Sequence, residues 1–437
     1  MSTRSSVLWS CFDAAVSAAG AEAAIHAHLR REGDILQVAS CRIDLTSCDR
    51  VLVLAAGKAA TGMARALEDI IAERLSLGCV VTKYQHGGQL RTAQIHEAAH
   101  PVPDAAGLAA AQALLQLAHS ATERDLVIFA LSGGASALLP APRPGLSLAD
   151  LQQCTELLLA SGAAIEQVNA TRKHLSTIAG GGLLRAAAPA RVLTLAVSDV
   201  LGDDPASIGS GPSCADPSTF EQVFAICDEY HIWDRLTPAV RALLTAGVAG
   251  TEPETLKSGD PALAHAAYHV VASNAQALDA AEACAHKAGH PVRRIAAPLC
   301  GDAAAAGRAF ADELLRCPVG TVLVAGGETT VVLPDGHGLG GRNQHFALAA
   351  AVTLAADPHG ESAQVFAAGT DGTDGPTDAA GAVLDGRFWA GAQAAGHDPA
   401  GHLARCDAYP LLKHMDALVT TGATGTNVMD VAIGLRQ

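Results

Sequence analysis

Short apolar runs that end in Gly, Ser or Asp recur ahead of helix-like segments: "VLVLAAGKAATGMARAL", "CVVTKY", "DLVIFALSGGASALL" and "RVLTLAVSDVLGD". This rhythm of strand, polar loop and helix predicts a parallel sheet with helices on its faces. In such sheets ligands collect at the carboxyl ends of the strands, where these glycine-rich loops lie. The chain has 437 residues, too many for one ordinary core, so two domains are expected. Apolar residues make up 49% but aromatic ones only 3%, and Ala and Gly are abundant, so the cores should be built from small and branched aliphatics in α/β layers.

From about Phe220 to Thr251 the chain reads as helices, "FEQVFAICDEY" and "LTPAVRALLTAG". The aperiodic "VAGTEPETLKSGDPAL" then suggests a crossover, which divides the chain into domains 1–250 and 251–437. The second half opens with a strand, loop and helix, "YHVVASNAQALDAAEACAHKAG". Next, "VGTVLVAGGETTVVLPDG" reads as a hairpin around Gly326-Gly327-Glu328, and "ALVTTGATGTNVMDVAIGL" as a strand, a loop and a helix.

The formal charge of −15 would repel a polyanionic backbone, so nucleic acid is not an expected partner. A small anion remains compatible, since a local pocket of cations and N–H groups can outweigh a distant, screened net charge. The eleven cysteines are odd in number and include no C-x-x-C pair, which points to free thiols in a reducing cytoplasm rather than a disulfide framework or zinc site. The start, "MSTRSSVLWSCFDAAVSAAG", reads as an amphipathic helix and not a signal peptide, and no run is long enough to span a membrane.

The candidate chemistry lies in the loops. Lys58 follows a strand and Gly57 where a helix should start, so its ammonium would add to the N–H groups of the helix terminus as an anion site. "LSGGASALLP" places Ser132, Gly133, Gly134 and Ser136 at the next such turn, where N–H groups and hydroxyls can approach a phosphate or carboxylate. It is neither the G-x-S-x-G elbow nor a P-loop. "VNATRKHLSTIAGGGL" combines Asn169, Arg172, Lys173 and His174, of which at most two can serve one ligand. Asp199 ends an apolar strand ahead of Asp203 and Asp204, and Asp371, Asp374 and Asp378 stand among glycines in "GTDGTDGPTDAAGA". Carboxylates at strand ends can hold Mg²⁺ or accept a hydroxyl proton, although Asp is also common in turns.

In "GHGLGGRNQHFAL", Gly336, Gly338 and Gly341 satisfy the dinucleotide spacing G-x-G-x-x-G. The expected hairpin setting and the missing acidic residue about 20 positions on weaken that reading. Arg342 beside the third glycine suits a transferring phosphoryl group, whose oxygens a planar guanidinium can bridge.

Together "GKAATGMA", "SGGASALL", "NATRKHLS", "SDVLGDDPASIGSGPS", "GGETTVV", "GLGGRNQ", "GTDGTDGPTDAAGA" and "TGATGTNVMD", in that order, resemble the glycerate 2-kinase family of the MOFRL type, labelled hydroxypyruvate reductase in older usage. The resemblance covers roughly residues 5 to 435. It implies an N-terminal Rossmann-like α/β domain, a C-terminal α/β domain of MOFRL type, and an active site in the cleft between them. It also implies phosphorylation of D-glycerate at its 2-hydroxyl with ATP and Mg²⁺. By position, Lys58 and Arg342 match the two cations proposed for catalysis in that family.

On this reading Asp199 orients the 2-hydroxyl, and the Ser132–Ser136 loop with Asn169 and Arg172 holds the substrate. Gly326, Gly327, Glu328, Thr329, Gly340, Gly341 and Asn343 are expected at the nucleotide, and Asp199, Asp203 and Asp371 at the metal. His345, Ala423 and Met429 depart from the family's expected acidic residue, Pro and Asn. His345 reads first as a helix-surface histidine and second as a local adjustment of the pocket. Two alternatives stay beside the kinase: an NAD(P)H-dependent hydroxypyruvate reductase, which gains only from the glycine spacing, and a non-catalytic sugar-acid binding protein, against which Lys58 and Arg342 argue. A homodimer and a cytoplasmic location are compatible with all three.

Overall fold

The computed structural model describes residues 7–437. The chain divides into two compact units: Ala21–Val271, and Ala272–Gln437 together with the first residues through Gly20. Among the described residues no helix is long and apolar enough to cross a membrane, and all eleven cysteines are free.

In the Ala21–Val271 unit a small antiparallel sheet comes first, β1 (Leu29–Glu32), β2 (Ile35–Val38) and β3 (Cys41–Asp44), which the loop-and-helix rhythm does not foretell. The main sheet comprises β4 (Arg50–Ala56), β5 (Leu75–Lys83), β6 (Ala93–Ala98), β7 (Asp125–Leu131), β8 (Arg191–Val197) and β9 (Ala266–Ala272), in the order β6-β5-β4-β7-β8-β9. Neighbours from β6 through β8 pair in parallel. β4 and β7 read as unbroken apolar runs because helices cover both faces, and every residue of β7 is buried. Successive strands run outward from β4 in one direction and from β7 in the other. The turns after β4 and β7 therefore flank the point where the strand order reverses, the usual ligand crevice of an open parallel sheet.

A helical layer packs around Phe220, using Leu148–Ser161, Ile165–Leu175, Phe220–Glu229 and Pro238–Val248. The polar segment after residue 250 is not a free linker. Leu256 is buried, its N–H donates to Gly180 O and its carbonyl accepts from Asp216 N, so the segment belongs to this unit and leads into β9. The compact division thus falls near 271 rather than at the expected 250.

The second unit holds β10 (Val292–Arg294), β11 (Val322–Gly327), β12 (Ala363–Gly369), β13 (Gly381–Asp385), β14 (Leu418–Val419) and β15 (Asp430–Arg436), in the order β10-β11-β15-β12-β13-β14. Only β10 and β11 are parallel; the other pairs are antiparallel. Two expectations fail here. The segment 430–436 is a central strand and not a helix, because the short buried apolar run 431–435 suits either period. The hairpin around Gly326-Gly327-Glu328 is also absent. β11 pairs with β10 and β15, and the β-branched residues beyond it lie in a loop where Val332 is 88% exposed. The amphipathic N-terminal helix is present as Val7–Ala18, its Trp9 and Phe12 rings set against Phe366 at 5.3 and 5.0 Å. The expectation for residues 1–6 lies outside the described residues.

One buried carboxylate fixes the approach to β6. Glu68 accepts N–H bonds from Arg91, Thr92 and Ala93 at 2.7, 2.8 and 3.0 Å. Burial works against its charge, yet these bonds outweigh burial and hold its carboxyl below the ordinary range. Glu68→Gln keeps the shape but turns one acceptor into a donor, and should cost about 1–3 kcal/mol at neutral pH. Because the folded pKa is depressed, the contribution is present above the unfolded value and lost as pH falls through the folded one. Chemical denaturation of both proteins should therefore show the deficit shrinking below pH 4.5.

Candidate active site

The turns after β4 and β7 are laced together. Lys58 N donates to Gly133 O at 2.9 Å, Ala59 N to Ser132 Oγ at 3.1 Å, and Ser132 N to Ala56 O at 2.9 Å. Gly57 has φ 125°, and a Cβ there would stand 2.1 Å from Ser132 Oγ. Ser132 is thus buried as the fastener between the turns and does not line an open site.

Gly133 serves a different purpose. A Cβ on it would stand 1.9 Å from Asp199 Oδ2, so the glycine leaves room for the carboxylate arriving from the end of β8. A Cβ on Gly134 would meet His100 Cδ2 at 3.0 Å and Lys58 Cγ at 3.3 Å. Lys58, His100 and Asp199 therefore converge on the Gly133-Gly134 turn from three strand ends. Ser136 Oγ is 2.8 Å from Ser210 Oγ, which joins the next part of this turn to the loop after β8.

The basic run on Ile165–Leu175 sorts by helix face. Lys173 is buried 3.2 Å from Asp216 Oδ1, and His174 is buried with Nε2 3.0 Å from Glu254 Oε2. Burial opposes the charge on Asp216, but Lys173, Ser218 and Thr255 outweigh it and lower its pKa, while burial lowers that of His174. These two are structural. Arg172 alone of the three lines a cavity in this unit, with Gly134, Ser136, Asp199 and Ser210; its Nε reaches Thr155 Oγ1 at 3.4 Å. Asn169 sits half-buried on the same helix and is not among the cavity's lining residues.

In the second unit the glycines of the "GHGLGGRNQHFAL" loop answer to the fold: Gly336 has φ 72°, and the others meet close neighbours. A Cβ on Gly338 would stand 2.1 Å from Asp407 Oδ1, and one on Gly341 2.2 Å from Asp374 Cγ. Gly340 approaches Ala408 and Cys406, Gly326 approaches Asn274, and Gly327 approaches Leu299, while Thr329 is buried. The helix Arg342–Ala356 does start at this loop, but its amino end already holds an anion. Asn343 N and Gln344 N donate to the two oxygens of Asp374 at 3.0 and 2.8 Å.

Arg342 is held on two sides. Nε and Nη2 donate to Asp430 Oδ2 and Oδ1 at 2.6 and 3.0 Å, and Nη1 donates to Glu328 Oε1 at 2.5 Å. Burial pulls against its charge, but the Asp430 hydrogen bonds and the nearby carboxylates raise the guanidinium pKa above its ordinary value. Asp430 is buried, whereas Glu328 is exposed. Neither Asp430 nor His100 stands out from sequence alone; Asp430 closes the "TGATGTNVMD" segment, and an acidic residue opening a strand there was the available signal. Two of the three departures have visible consequences. His345 is buried with Nδ1 unpartnered, which corrects the surface reading, and Met429 adopts φ 67°; Ala423 is exposed.

The acidic metal candidates do not form a ready-made cage. Among the described residues, the group of His, Cys, Asp or Glu with ligand atoms all within 4.8 Å is the exposed set Glu22, His26 and Asp69. Asp199, Asp203 and Asp371 are outside it. Asp203 is half-buried at φ 54°, and Asp371 accepts from Thr373 N and Oγ1 at 3.0 and 2.9 Å.

Residues 7–245 match the family described as Domain of unknown function (DUF4147), and residues 321–430 match the MOFRL family. The chain is 40% identical to a D-glycerate 2-kinase of Thermotoga maritima, over 89% of this chain and 91% of that protein. It is 38% identical to a glycerate 2-kinase of Pyrococcus horikoshii, over 88% and 87%. An Agrobacterium vitis protein, provisionally named a hydroxypyruvate reductase, is 39% identical over 87% of this chain and 98% of its own length. Among solved structures, a Thermotoga maritima glycerate kinase superposes with a TM-score of 0.84 at 35% identity, covering 98% of both chains.

The cap on the Arg342 helix carries a pH signature. Burial pushes the Asp374 carboxyl up to about 6, against the lowering effect of its two backbone N–H bonds. A raised carboxyl pKa favours the folded state at low pH, and that advantage is lost as pH rises through the folded value. Asp374→Asn should therefore gain stability relative to the parent by roughly 1.4 kcal/mol per pH unit between pH 4 and 6, and the difference should level off above. Parallel denaturation series across that range measure it.

Proposed function

The chain belongs to the glycerate 2-kinase family of the MOFRL type, and on that footing we propose that it transfers the γ-phosphoryl group of ATP, supplied with Mg²⁺, to the 2-hydroxyl of D-glycerate. The enzyme is a phosphotransferase. The observation that carries the residue assignment is the convergence of Lys58, His100 and Asp199 on the Gly133-Gly134 turn, at the strand-order reversal of a parallel sheet.

Phosphoryl transfer asks little covalent chemistry of a protein; positioning and charge neutralisation supply most of the acceleration. Lys58 is the cation that meets the transferring group, set on a turn that packs too closely for any residue but glycine at positions 57 and 133. Asp199 is the carboxylate that accepts and orients the 2-hydroxyl. Arg342 is the second cation. Asp430 fixes its plane through two bonds, and exposed Glu328 is the partner that a phosphoryl oxygen replaces at Nη1.

The donor set suits Mg²⁺, which takes one or two carboxylates and completes its shell with phosphates and water, so Asp199, Asp203 and Asp371 need not form a closed cage. When bound, the ion neutralises charge on the phosphate oxygens. The free thiols suit the cytoplasmic location.

The reductase reading loses its main support, because two of the glycines that suggested a nicotinamide loop, Gly338 and Gly341, are explained by contacts with Asp407 and Asp374, and Gly336 by its φ of 72°. Coupled ADP release measured beside NADH oxidation separates the two: the kinase releases ADP with D-glycerate and leaves NADH unconsumed with hydroxypyruvate. Phosphorus and proton NMR of the product should place the phosphate on the 2-position.

Two variants test the roles. Arg342→Ala should lower kcat at least about a hundredfold with a far smaller rise in the glycerate KM; a KM effect alone would remove Arg342 from the transition state. Gly133→Ala should displace the Asp199 carboxylate and cost turnover while circular dichroism stays that of the parent; full activity in this variant would remove Asp199 from the mechanism.

A further inference from the structure

A cavity of about 490 Å³ lies within the Ala21–Val271 unit, inside the range of roughly 300–1,000 Å³ typical of pockets for ligands much larger than a three-carbon acid. Its two ends differ in chemistry. One is the polar turn with Gly134, Ser136, Asp199 and Ser210. The other is walled by the helices Leu148–Ser161 and Ile165–Leu175, whose Leu151, Leu159, Ile165 and Leu175 face it. Val102, Leu159 and Ile165 line the same cavity while 58%, 55% and 56% exposed. Large apolar side chains left in water along a cavity suit a ligand that brings an apolar face of its own.

D-glycerate bears no apolar group to cover such walls. The other reactant does: a nucleotide joins a flat, weakly hydrated base to a polar ribose and a chain of phosphates. The cavity offers each kind of surface: aliphatic walls, Thr155 beside Arg172 on the two helices, and the paired hydroxyls with the glycine turn that Lys58 approaches. A planar guanidinium on an aliphatic wall is suited to lie against a base or ribose. In the second unit, by contrast, the amino end of the Arg342 helix is already taken by Asp374, so the glycine loop there offers no open amide cradle.

We propose that this cavity receives the base and ribose of the nucleotide, with its phosphates leading to Gly134 and Ser136. The assignment rests on the kinase reading above, and moves the nucleotide away from the Gly326–Asn343 segment that the sequence suggested. Asp199 at the polar end would repel bare phosphates, so the nucleotide should bind as its Mg²⁺ complex.

The test fills the cavity. Thr155→Trp places an indole inside it, and calorimetric titration of the full-length protein with MgADP should show affinity falling roughly tenfold or more, while the KM for D-glycerate is unchanged. A raised glycerate KM with MgADP affinity intact would give the cavity to the acid and overturn the proposal. Overturning it equally would be a folded variant with neither value changed, or with both changed together. If Thr155→Trp does not fold, Leu159→Trp at the exposed mouth serves instead. Its added fluorescence should respond to MgADP and not to D-glycerate, and silence towards saturating MgADP would overturn the proposal. Should MgADP bind as expected while MgATP phosphorylates no glycerate, the kinase reading fails and the cavity assignment stands.

Discussion

Two turns fastened to each other hold the candidate catalytic residues of the Ala21–Val271 unit. Parallel strands bring their carboxyl ends together wherever the strand order reverses, but that only places loops side by side. Here the loops are interlocked: the Lys58 amide is bound by the Gly133 carbonyl, and the Ser132 hydroxyl takes the Ala59 amide. The glycines exist because something else needs their space, Ser132 beside Gly57 and the Asp199 carboxylate beside Gly133. A candidate catalytic cation and a candidate base are thereby set on backbone-bonded turns, which suits a reaction accelerated mainly by positioning.

The second unit solves a different electrostatic problem. Arg342 lies at the start of a helix, where the unsatisfied N–H groups already favour negative charge, and a cation there is disfavoured unless it is compensated. Asp374 caps the amides, Asp430 grips the guanidinium through two bonds, and Glu328 adds a third contact. The two buried carboxylates cannot leave without exposing unpaired charge, whereas Glu328 is in water and can be exchanged at small cost. The result is an arginine fixed in orientation but with one face available to an incoming anion.

Residue types and local order were legible in the sequence; partners were not. The apolar runs of β4, β7 and β8 and the polar turns behind them follow from periodicity, and so the cluster of Lys58, Gly133 and Asp199 could be named. The run 430–436 could not be resolved, because its apolar stretch 431–435 buries equally well as helix or strand until the neighbours β11 and β12 are known. The Thr329–Leu333 stretch has β-branched residues without a strand to pair with, so propensity misled. Asp430 lies 88 residues from the arginine it holds, and no local pattern announces that pairing. The basic run at Arg172, Lys173 and His174 shows the same limit in reverse: three adjacent basic residues look like one binding motif, and two are anchored elsewhere, Lys173 to the buried Asp216 and His174 to the half-buried Glu254.

Met429 shows how the Arg342 network also bears on the backbone. The family resemblance leads one to expect asparagine there, and the residue adopts φ 67°, a conformation that asparagine tolerates and that costs most other residues about 1–2 kcal/mol. Its carbonyl accepts both Thr370 N and Thr370 Oγ1, at 3.0 and 2.6 Å, and the Val428 amide is bound by the same hydroxyl. The turn is thus closed from both sides just before Asp430, and releasing the strained angle would break those bonds and move the carboxylate that orients Arg342. A less suitable residue is kept in the left-handed region because its neighbours on either side are committed, one to Thr370 and the other to the arginine.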